Sequence, residues 1–511
     1  MKTLVQDFLG NSTARWPEKP YLICDHEVRT FRQIEGDSNR LACELQRSGV
    51  IRGDRVAVFM ENSAELVVSV FGILKAGAVF VVINPTTKSK KLAYILSDCG
   101  VRTLIAQSRL ARVVEPALAE APCVRTVLWT GCASSDAPPG RAFDEVLKQP
   151  HEPPADPGLI DQDLCTIIYT SGSTGNPKGV MLTHRNMTNT AWAISTYIGN
   201  VPDDVVVCVL PLSFGYGLYQ VITGAQVGFT VLLEDSFAYP YKVLQDMAQH
   251  RVTGLPGVPT IFATLLQMAP FEGLDLSSLR YMTSAAASLP PAHIRRLQEL
   301  FPQAKIFSMY GLTECTRACY LDPARLADKI ASVGKAIPNE EVYIVDDQGR
   351  RVGPGVVGEL VIRGANVMRG YWGKREETAK RLREGDIPGE KVLYSGDYFR
   401  MDEEGFLYFI GRKDDIFKCK GEKVCPKEIE HVLYELDAVA EAAVIGVDDP
   451  IDGSAIKAFV VLRDEAVLTE QDIRHHCRAN LENYMLPKFV EFRDSLPKTE
   501  SGKIKKTALV Q

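Results

Sequence analysis

The sequence has no surplus of basic charge: 58 Lys and Arg stand against 64 Asp and Glu, a formal net charge of -6. Such a chain lacks the overall field that holds a phosphate backbone, so nucleic acid is not an expected partner. It also has no long uninterrupted apolar run. The longest candidate, Leu66 to Ile83, is broken by Ser69, Gly72, Lys75 and Gly77. A charge at mid-bilayer is costly, so the stretch reads as a buried helix followed by a buried strand, and no transmembrane segment is expected. The 12 cysteines, scattered from Cys24 to Cys477, include no Cys-x-x-Cys pair, which fits neither a dense disulfide framework nor a zinc ribbon. The opening MKTLVQDFLGNSTARW lacks a basic segment leading into an apolar core and a small-residue cleavage site. No secretory signal is read there, and reduced thiols in the cytoplasm are the expectation.

What is present is an ample core. Apolar residues make up 46% and charged residues 24% of 511, a soluble composition with room for about three structural units. A strand over Arg55 to Met60, a helix over Ser63 to Lys75, a break at Gly77 and a strand over Ala78 to Ile83 form a βαβ unit. A helix from Ser89 to Ser97 and a strand from Thr103 to Ala106 continue the alternation, and Val205 to Leu210, Tyr216 to Val227 and Thr230 to Leu233 repeat it. The Pro- and Gly-rich stretch from Cys132 to Asp161 reads as an exposed connection. After Gly411 the pattern becomes α+β: a hairpin across Gly421, helices over Lys427 to Leu436 and Glu470 to Leu481, and strands near Ala442 to Val447 and Ile456 to Leu462. The predicted fold is therefore α/β, with a large N-terminal body of mostly parallel layered sheets and helices, residues 1–411, and a small α+β domain, residues 412–511.

The most informative segment runs from Ile167 to Gly179, an apolar strand ending at Thr170 that delivers the chain into Ser171, Gly172, Ser173, Thr174 and Gly175 and closes on Pro177, Lys178 and Gly179. Glycines let backbone N–H groups turn toward an anion, the hydroxyls add donors, and Lys178 adds a point charge, a set suited to polyphosphate. It is not a Walker A loop, because Pro177 precedes the lysine and Gly179 stands where Ser or Thr would hold magnesium. A flexible Ser/Gly linker would not emerge from a buried strand and end in Pro-Lys-Gly.

This loop resembles the phosphate loop of the adenylate-forming superfamily, which joins acyl-CoA synthetases, nonribosomal-peptide adenylation domains and firefly luciferase. The resemblance extends along the chain in order. Tyr310-Gly311-Leu312-Thr313-Glu314 is similar to the aromatic-G-x-T-E motif, which implies Thr313 at the α-phosphate and Glu314 on Mg²⁺. Tyr394-Ser395-Gly396-Asp397 resembles the segment whose aspartate accepts ribose hydroxyls, and Gly411-Arg412-Lys413-Asp414 the one whose Arg reaches the ribose and whose Asp is the hinge. Pro497 to Lys503 resembles the terminal motif whose last lysine drives adenylation. The run Ser284 to Leu289, with Ala286 inside it, resembles the adenine-lining segment, although Ala285 and Ser288 replace its usual Gly and Pro.

The resemblance implies an AMP-forming acid–thiol ligase using ATP, Mg²⁺ and coenzyme A, or the phosphopantetheine of a carrier protein, on a small carboxylic acid. Adenylation brings a carboxylate to the α-phosphorus and expels pyrophosphate, so it needs cations rather than a protein nucleophile. Lys178, Lys503 and a metal on Glu314 would supply them. The resemblance further implies a small domain that rotates about Asp414 between half-reactions, with the loop around Gly421 lining the access path of the thiol.

Leu210 to Leu218 resembles the acid-binding segment, where members that activate amino acids usually carry an aspartate. No acid lies between Val205 and Leu232, so the ammonium of an amino acid would be buried without a partner. A fatty or aryl acid is expected, in a pocket formed by Phe214, Gly215, Tyr216 and Ala285, with Tyr219, Val258, Phe262 and Tyr310 as further candidates and Phe262 read rather as core. The acceptor thiol, the chain length of the acid and the oligomeric state are left open. So are two other classes, a luciferase-like monooxygenase and a non-catalytic binding member. Gly353 to Gly358 matches G-x-G-x-x-G but leads into a strand pattern, against a dinucleotide site, and no G-x-S-x-G elbow occurs. His475 and His476 read as a solvated face, Cys315 and Cys319 lack the further ligands of a metal site, and Lys503, Lys505 and Lys506 read as a basic tail serving solubility.

Overall fold

Strand Arg55–Phe59 divides its side chains between two cores: Val56 and Val58 join the larger, Ala57 and Phe59 a second. Strand Val79–Ile83 does the same, with Phe80 and Val82 on one side and Val79, Val81 and Ile83 on the other. Both faces are covered, which is why these strands read as unbroken apolar runs. The computed structural model describes residues 4–132, 138–150, 153–170, 176–286, 289–413, 417–419, 422–424, 426–449, 453–463, 466–498 and 504–509.

Among these residues the two strands lie at the centre of an eight-stranded sheet. Its pairings are parallel except where Leu164–Thr170, Lys178–Thr183 and Gly370–Tyr371 follow one another antiparallel at one edge. A second sheet, of nine strands, has a parallel centre made of Pro20–Cys24, Thr230–Leu233, Val205–Cys208, Gly254–Gly257, Tyr281–Ser284 and Lys305–Tyr310. Helices Val5–Arg15, Phe31–Arg47, Ala64–Lys75, His184–Ile198 and Gly215–Val227 pack their apolar faces into the larger core, which takes side chains from both sheets. A third, antiparallel sheet pairs Glu340–Val345, Val357–Gly364, Lys391–Met401 and Leu382–Glu384, with Leu407–Arg412 added on Lys391–Met401.

From Phe417 onward the chain forms cores of its own. Strands Val439–Asp449, Gly453–Leu462 and Phe489–Phe492 make a three-stranded sheet, and helices Pro426–Leu433 and Glu470–Asn480 bury Ile429, Leu433, Ile473 and Cys477 beside it. Strands Phe417–Cys419 and Glu422–Val424 pair antiparallel across the position of Gly421, which lies outside the described residues. The α/β class with a smaller α+β unit thus holds.

Three local expectations need correction. The stretch Cys132 to Asp161 is more than a connection: it contains helix Phe143–Lys148, which buries Phe143 and Val146 in the larger core. The flanking prolines hide this single amphipathic turn. His476 is not simply solvated, since its Nε2 lies 3.0 Å from the Val432 carbonyl and 3.5 Å from Glu435. Lys506 does more than aid solubility. Its Nζ sits 2.7 Å from Oε1 of Glu430, a carboxylate only 2% exposed.

Glu430 also meets Lys427 at 3.1 Å and accepts the Val444 N–H at 2.9 Å. Burial by itself raises this carboxyl, but Lys427, Lys506 and the Val444 N–H together hold it below the ordinary carboxylate range. Its contribution to stability is therefore present above the unfolded carboxylate value, about 4.3, and is lost as pH falls through the lower folded value. Lys506→Ala is expected to destabilise the small unit by about 1–3 kcal/mol at neutral pH. The deficit should narrow once acid protonates Glu430. Hydrogen exchange of the Val439–Asp449 amides reads both effects, and unchanged protection would contradict the role given to the pair.

Candidate active site

The contacts among the described site residues start where the phosphate-loop segment re-enters the sheet. Thr170 and Lys178 face each other at the ends of two antiparallel strands, while Ser171, Gly172, Ser173, Thr174 and Gly175 between them lie outside the described residues. The Lys178 ammonium lies 5.5 Å from the ring centroid of Tyr371. Tyr371 is buried, and its hydroxyl donates to Oε1 of Glu314 at 2.6 Å. Burial comes first in raising the Tyr371 phenol, and the Glu314 carboxylate adds to it, so the hydroxyl remains a donor across the working pH range.

Glu314 stands in a tight turn after strand Lys305–Tyr310. The Cys315 and Thr316 N–H groups both return to the Leu312 carbonyl, and the Ala318 N–H closes on the Tyr310 carbonyl at 2.9 Å. A Cβ on Gly311 would fall 2.4 Å from the Thr316 carbonyl oxygen, so only glycine lets the two arms of the turn approach this closely. The turn is tied from outside by Asn366, whose Nδ2 donates to the carbonyls of Cys315 and Arg317, and by the Met368 N–H on the Glu314 carbonyl.

At the start of that turn the Tyr310 hydroxyl donates to Oδ2 of Asp397 at 2.7 Å, and its ring packs edge-on against Phe399. Asp397 is buried on strand Lys391–Met401. Strand Leu407–Arg412 places the exposed Arg412 opposite it, with Nε 3.5 Å from Oδ1. The neighbouring glycine is fixed as well, since the Gly396 N–H donates to Glu359, which also pairs with Lys413 at 2.9 Å.

The other wall is built from the carboxyl ends of parallel strands, where open α/β sheets place their ligands. Strand Tyr281–Ser284 leads into buried Ala285 and then Ala286, which adopts the left-handed region at φ 75°, a strained conformation for a residue with a Cβ. The Tyr216 hydroxyl lies 2.8 Å from the Thr283 carbonyl and 2.6 Å from the Thr283 hydroxyl. Gly215 faces Thr316, and a Cβ there would meet the threonine methyl at 3.5 Å. Phe214 and Tyr216 are half-buried, whereas Phe262 is fully buried in the core, in keeping with the reading that separated it from the pocket.

A model of the AMP-binding enzyme matches residues 9–372, and one of the AMP-binding enzyme C-terminal domain matches residues 428–503. The chain belongs to the AMP-binding enzyme family. Among curated relatives of this family, a long-chain-fatty-acid–CoA ligase of Escherichia coli O157:H7 is 33% identical over 98% of this chain and 92% of its own length. A feruloyl-CoA synthase of an Amycolatopsis species is 35% identical over 93% of this chain and 92% of its own. The solved anthranilate CoA ligase AuaEII, in complex with anthranoyl-AMP, superposes with a TM-score of 0.90 at 29% identity, covering 99% of this chain and 96% of that one.

Of the candidates read from family motifs, Thr170, Lys178, Phe214, Gly215, Tyr216, Ala285, Ala286, Tyr310, Gly311, Thr313, Glu314, Asp397 and Arg412 are described, and Lys503, Asp414 and Gly421 lie outside the described residues. Sequence reasoning missed Tyr371, Asn366, Glu359 and Arg317. It also missed Asp98, which accepts the Tyr169 hydroxyl at 2.7 Å and, through its backbone carbonyl, the Trp372 indole N–H at 3.1 Å. Only the unusual Gly370-Tyr371-Trp372 cluster offered a sequence signal. Among the described residues no group of three or more His, Cys, Asp or Glu could hold a metal, and Cys315 and Cys319 are buried singly.

The Tyr371–Glu314 hydrogen bond is open to direct measurement. A double-mutant cycle of Tyr371→Phe and Glu314→Gln, followed by urea unfolding, should give a coupling of about 1.5–3 kcal/mol, the range for a hydrogen bond to a charged group. Additive losses would show that the two side chains act independently.

Proposed function

We propose that the chain is an ATP-dependent acid–thiol ligase that converts a fatty or aryl carboxylic acid into its acyl adenylate and passes the acyl group to coenzyme A. The observation that carries this reading is the backbone turn after Tyr310, which joins Lys178, Tyr371 and Glu314 on one side to Tyr310, Asp397 and Arg412 on the other. Together they offer cations, a carboxylate and sugar-binding groups. In the first half-reaction a carboxylate oxygen of the acid bonds to the α-phosphorus of ATP while the bond to the departing pyrophosphate breaks. In the second, the thiol sulfur bonds to the acyl carbon, AMP leaves, and the thiol proton passes to solvent.

Asp397 accepts the ribose hydroxyls, Tyr310 fixes its orientation, and Arg412 adds a rigid donor fork. Ala286 lines the adenine and Thr313 the α-phosphate. The hydroxyl and glycine loop after Thr170 cradles the polyphosphate, with Lys178 and Lys503 spreading the charge that develops. Glu314, preset by Tyr371, fits Mg²⁺, a cation that sites of this kind hold through one or two carboxylates plus the substrate's phosphates; it would neutralise phosphate charge. The body of residues 1–411 and the unit of residues 412–511 move relative to one another about Asp414, first presenting Lys503 and then the Gly421 loop that admits the thiol. The separate cores of the segment after Phe417 support that division. Coenzyme A is preferred to a carrier protein as acceptor because the named relatives are CoA ligases and a CoA synthase.

The substrate class rests on the absence of any acid between Val205 and Leu232 and on the aromatic wall of Phe214 and Tyr216. An ammonium buried there would recover only about 0.5–2 kcal/mol from cation–π contact. Pyrophosphate release with matched pairs, octanoate with 2-aminooctanoate and cinnamate with phenylalanine, is expected to favour the acid without the amine by at least about tenfold in kcat/KM. Equal turnover of the amino acids would refute the class.

Asp397→Ala should raise the apparent ATP constant by roughly one to two decades while moving that of the acid far less, since a charge-assisted hydrogen bond is lost only from the nucleotide. Steady-state kinetics with each substrate varied in turn checks this. An unchanged ATP constant would remove Asp397 from the ribose.

A further inference from the structure

Arg317 is a buried charged side chain beside the acid-binding segment that the proposed chemistry leaves unused. It is only 3% exposed, and its Nε has no hydrogen-bond partner. Its guanidinium lies 4.8 Å from the ring centroid of Tyr216, on the wall where Thr316 meets Gly215. Among the described residues no carboxylate forms an ion pair with it. Beside it stands Tyr197, whose phenol is pushed up to about 12, chiefly by burial, with the charge of Arg317 and a hydrogen bond from its guanidinium drawing it back. Glu340 also approaches Tyr197, and burial raises its carboxyl, but among the described residues no ion pair joins it to Arg317.

A buried guanidinium without a counter-ion is costly, and contact with aromatic rings offsets only part of that cost. The fold nevertheless fixes it in place. The Arg317 carbonyl is held by Asn366, and Thr316 before it takes a left-handed backbone at φ 64°. The missing counter-charge is therefore best supplied by the ligand. A guanidinium presents a planar fork that matches a carboxylate in two parallel hydrogen bonds, and it repels an ammonium.

We propose that Arg317 is a specificity residue that receives a second carboxylate at the far end of the acid, so that the preferred substrate is an alkyl or aryl dicarboxylic acid. One carboxylate faces the phosphate loop for adenylation. The other pairs with Arg317, and the apolar middle of the molecule lies along Phe214 and Tyr216. This inference rests on the ligase reading and narrows its substrate class.

The test compares octanoate with octanedioate, and cinnamate with 4-carboxycinnamate, in wild type, Arg317→Met and Arg317→Lys, by pyrophosphate release and by equilibrium binding of octanedioate. The wild type is expected to favour each diacid by at least about tenfold in kcat/KM, the size of one charge-assisted pair. Arg317→Met should lower diacid turnover at least about tenfold more than monoacid turnover, and Arg317→Lys, which keeps the charge, should retain part of the preference. Equal losses for both members of a pair, or a wild type that prefers the monoacids, would overturn the assignment and leave the ligase reading standing. If no acid releases pyrophosphate yet octanedioate binds in an Arg317-dependent way, the assignment stands and the ligase reading falls. Absence of both turnover and binding would overturn both.

Discussion

The geometry of the site depends on the contact between Gly311 and the backbone of Thr316 and Arg317. Because no Cβ intervenes, the chain leaving strand Lys305–Tyr310 can fold back on itself within a few residues. That turn sends Tyr310 toward the antiparallel sheet that carries Asp397, Glu314 toward Tyr371 at the edge of the eight-stranded sheet, and Arg317 toward Tyr216 at the start of a helix of the nine-stranded sheet. One short segment thus links the nine-stranded, the eight-stranded and the antiparallel sheet that carries Asp397, and a side chain at Gly311 would disturb every one of these contacts.

Around this turn the polar groups are held before any ligand arrives. Tyr310 and Tyr371 are phenols whose protons are retained by burial and by the carboxylates they face, so each serves as a fixed donor to an acid. Asn366 and Glu359 satisfy backbone carbonyls and amides that the turn and strand would otherwise leave exposed to an apolar interior. Such preorganisation suits phosphoryl chemistry, in which positioning and charge stabilisation are most of what a protein contributes. The small unit obeys the same logic at Glu430, a buried carboxylate kept ionised by Lys427 and Lys506.

Much of this architecture was legible in the sequence. Strands Arg55–Phe59 and Val79–Ile83 were plain because apolar runs bounded by Gly and charge have few alternatives, and helix Ala64–Lys75, which the structure shows capped by Ser63, followed from its place between them. Helix Phe143–Lys148 was hidden because a single turn between prolines carries too little periodicity. Tyr310, Glu314, Asp397 and Arg412 could be named from family motifs. The family membership that the comparisons establish explains why those motifs were informative.

The sequence by itself determined the layered α/β class, the small α+β segment, the family and the local chemistry of each motif, because these follow from periodicity and from residues adjacent in the chain. Only the tertiary structure decided which acids are preset by which phenols, that Lys506 is an ion-pair partner of a buried carboxylate, and that Arg317 faces the aromatic wall of the acid-binding segment. Tyr371 and Glu314 are separated by 57 positions, Arg317 and Tyr216 by about a hundred. No local pattern encodes such pairings. They arise where sheets built from distant strands meet at one backbone turn.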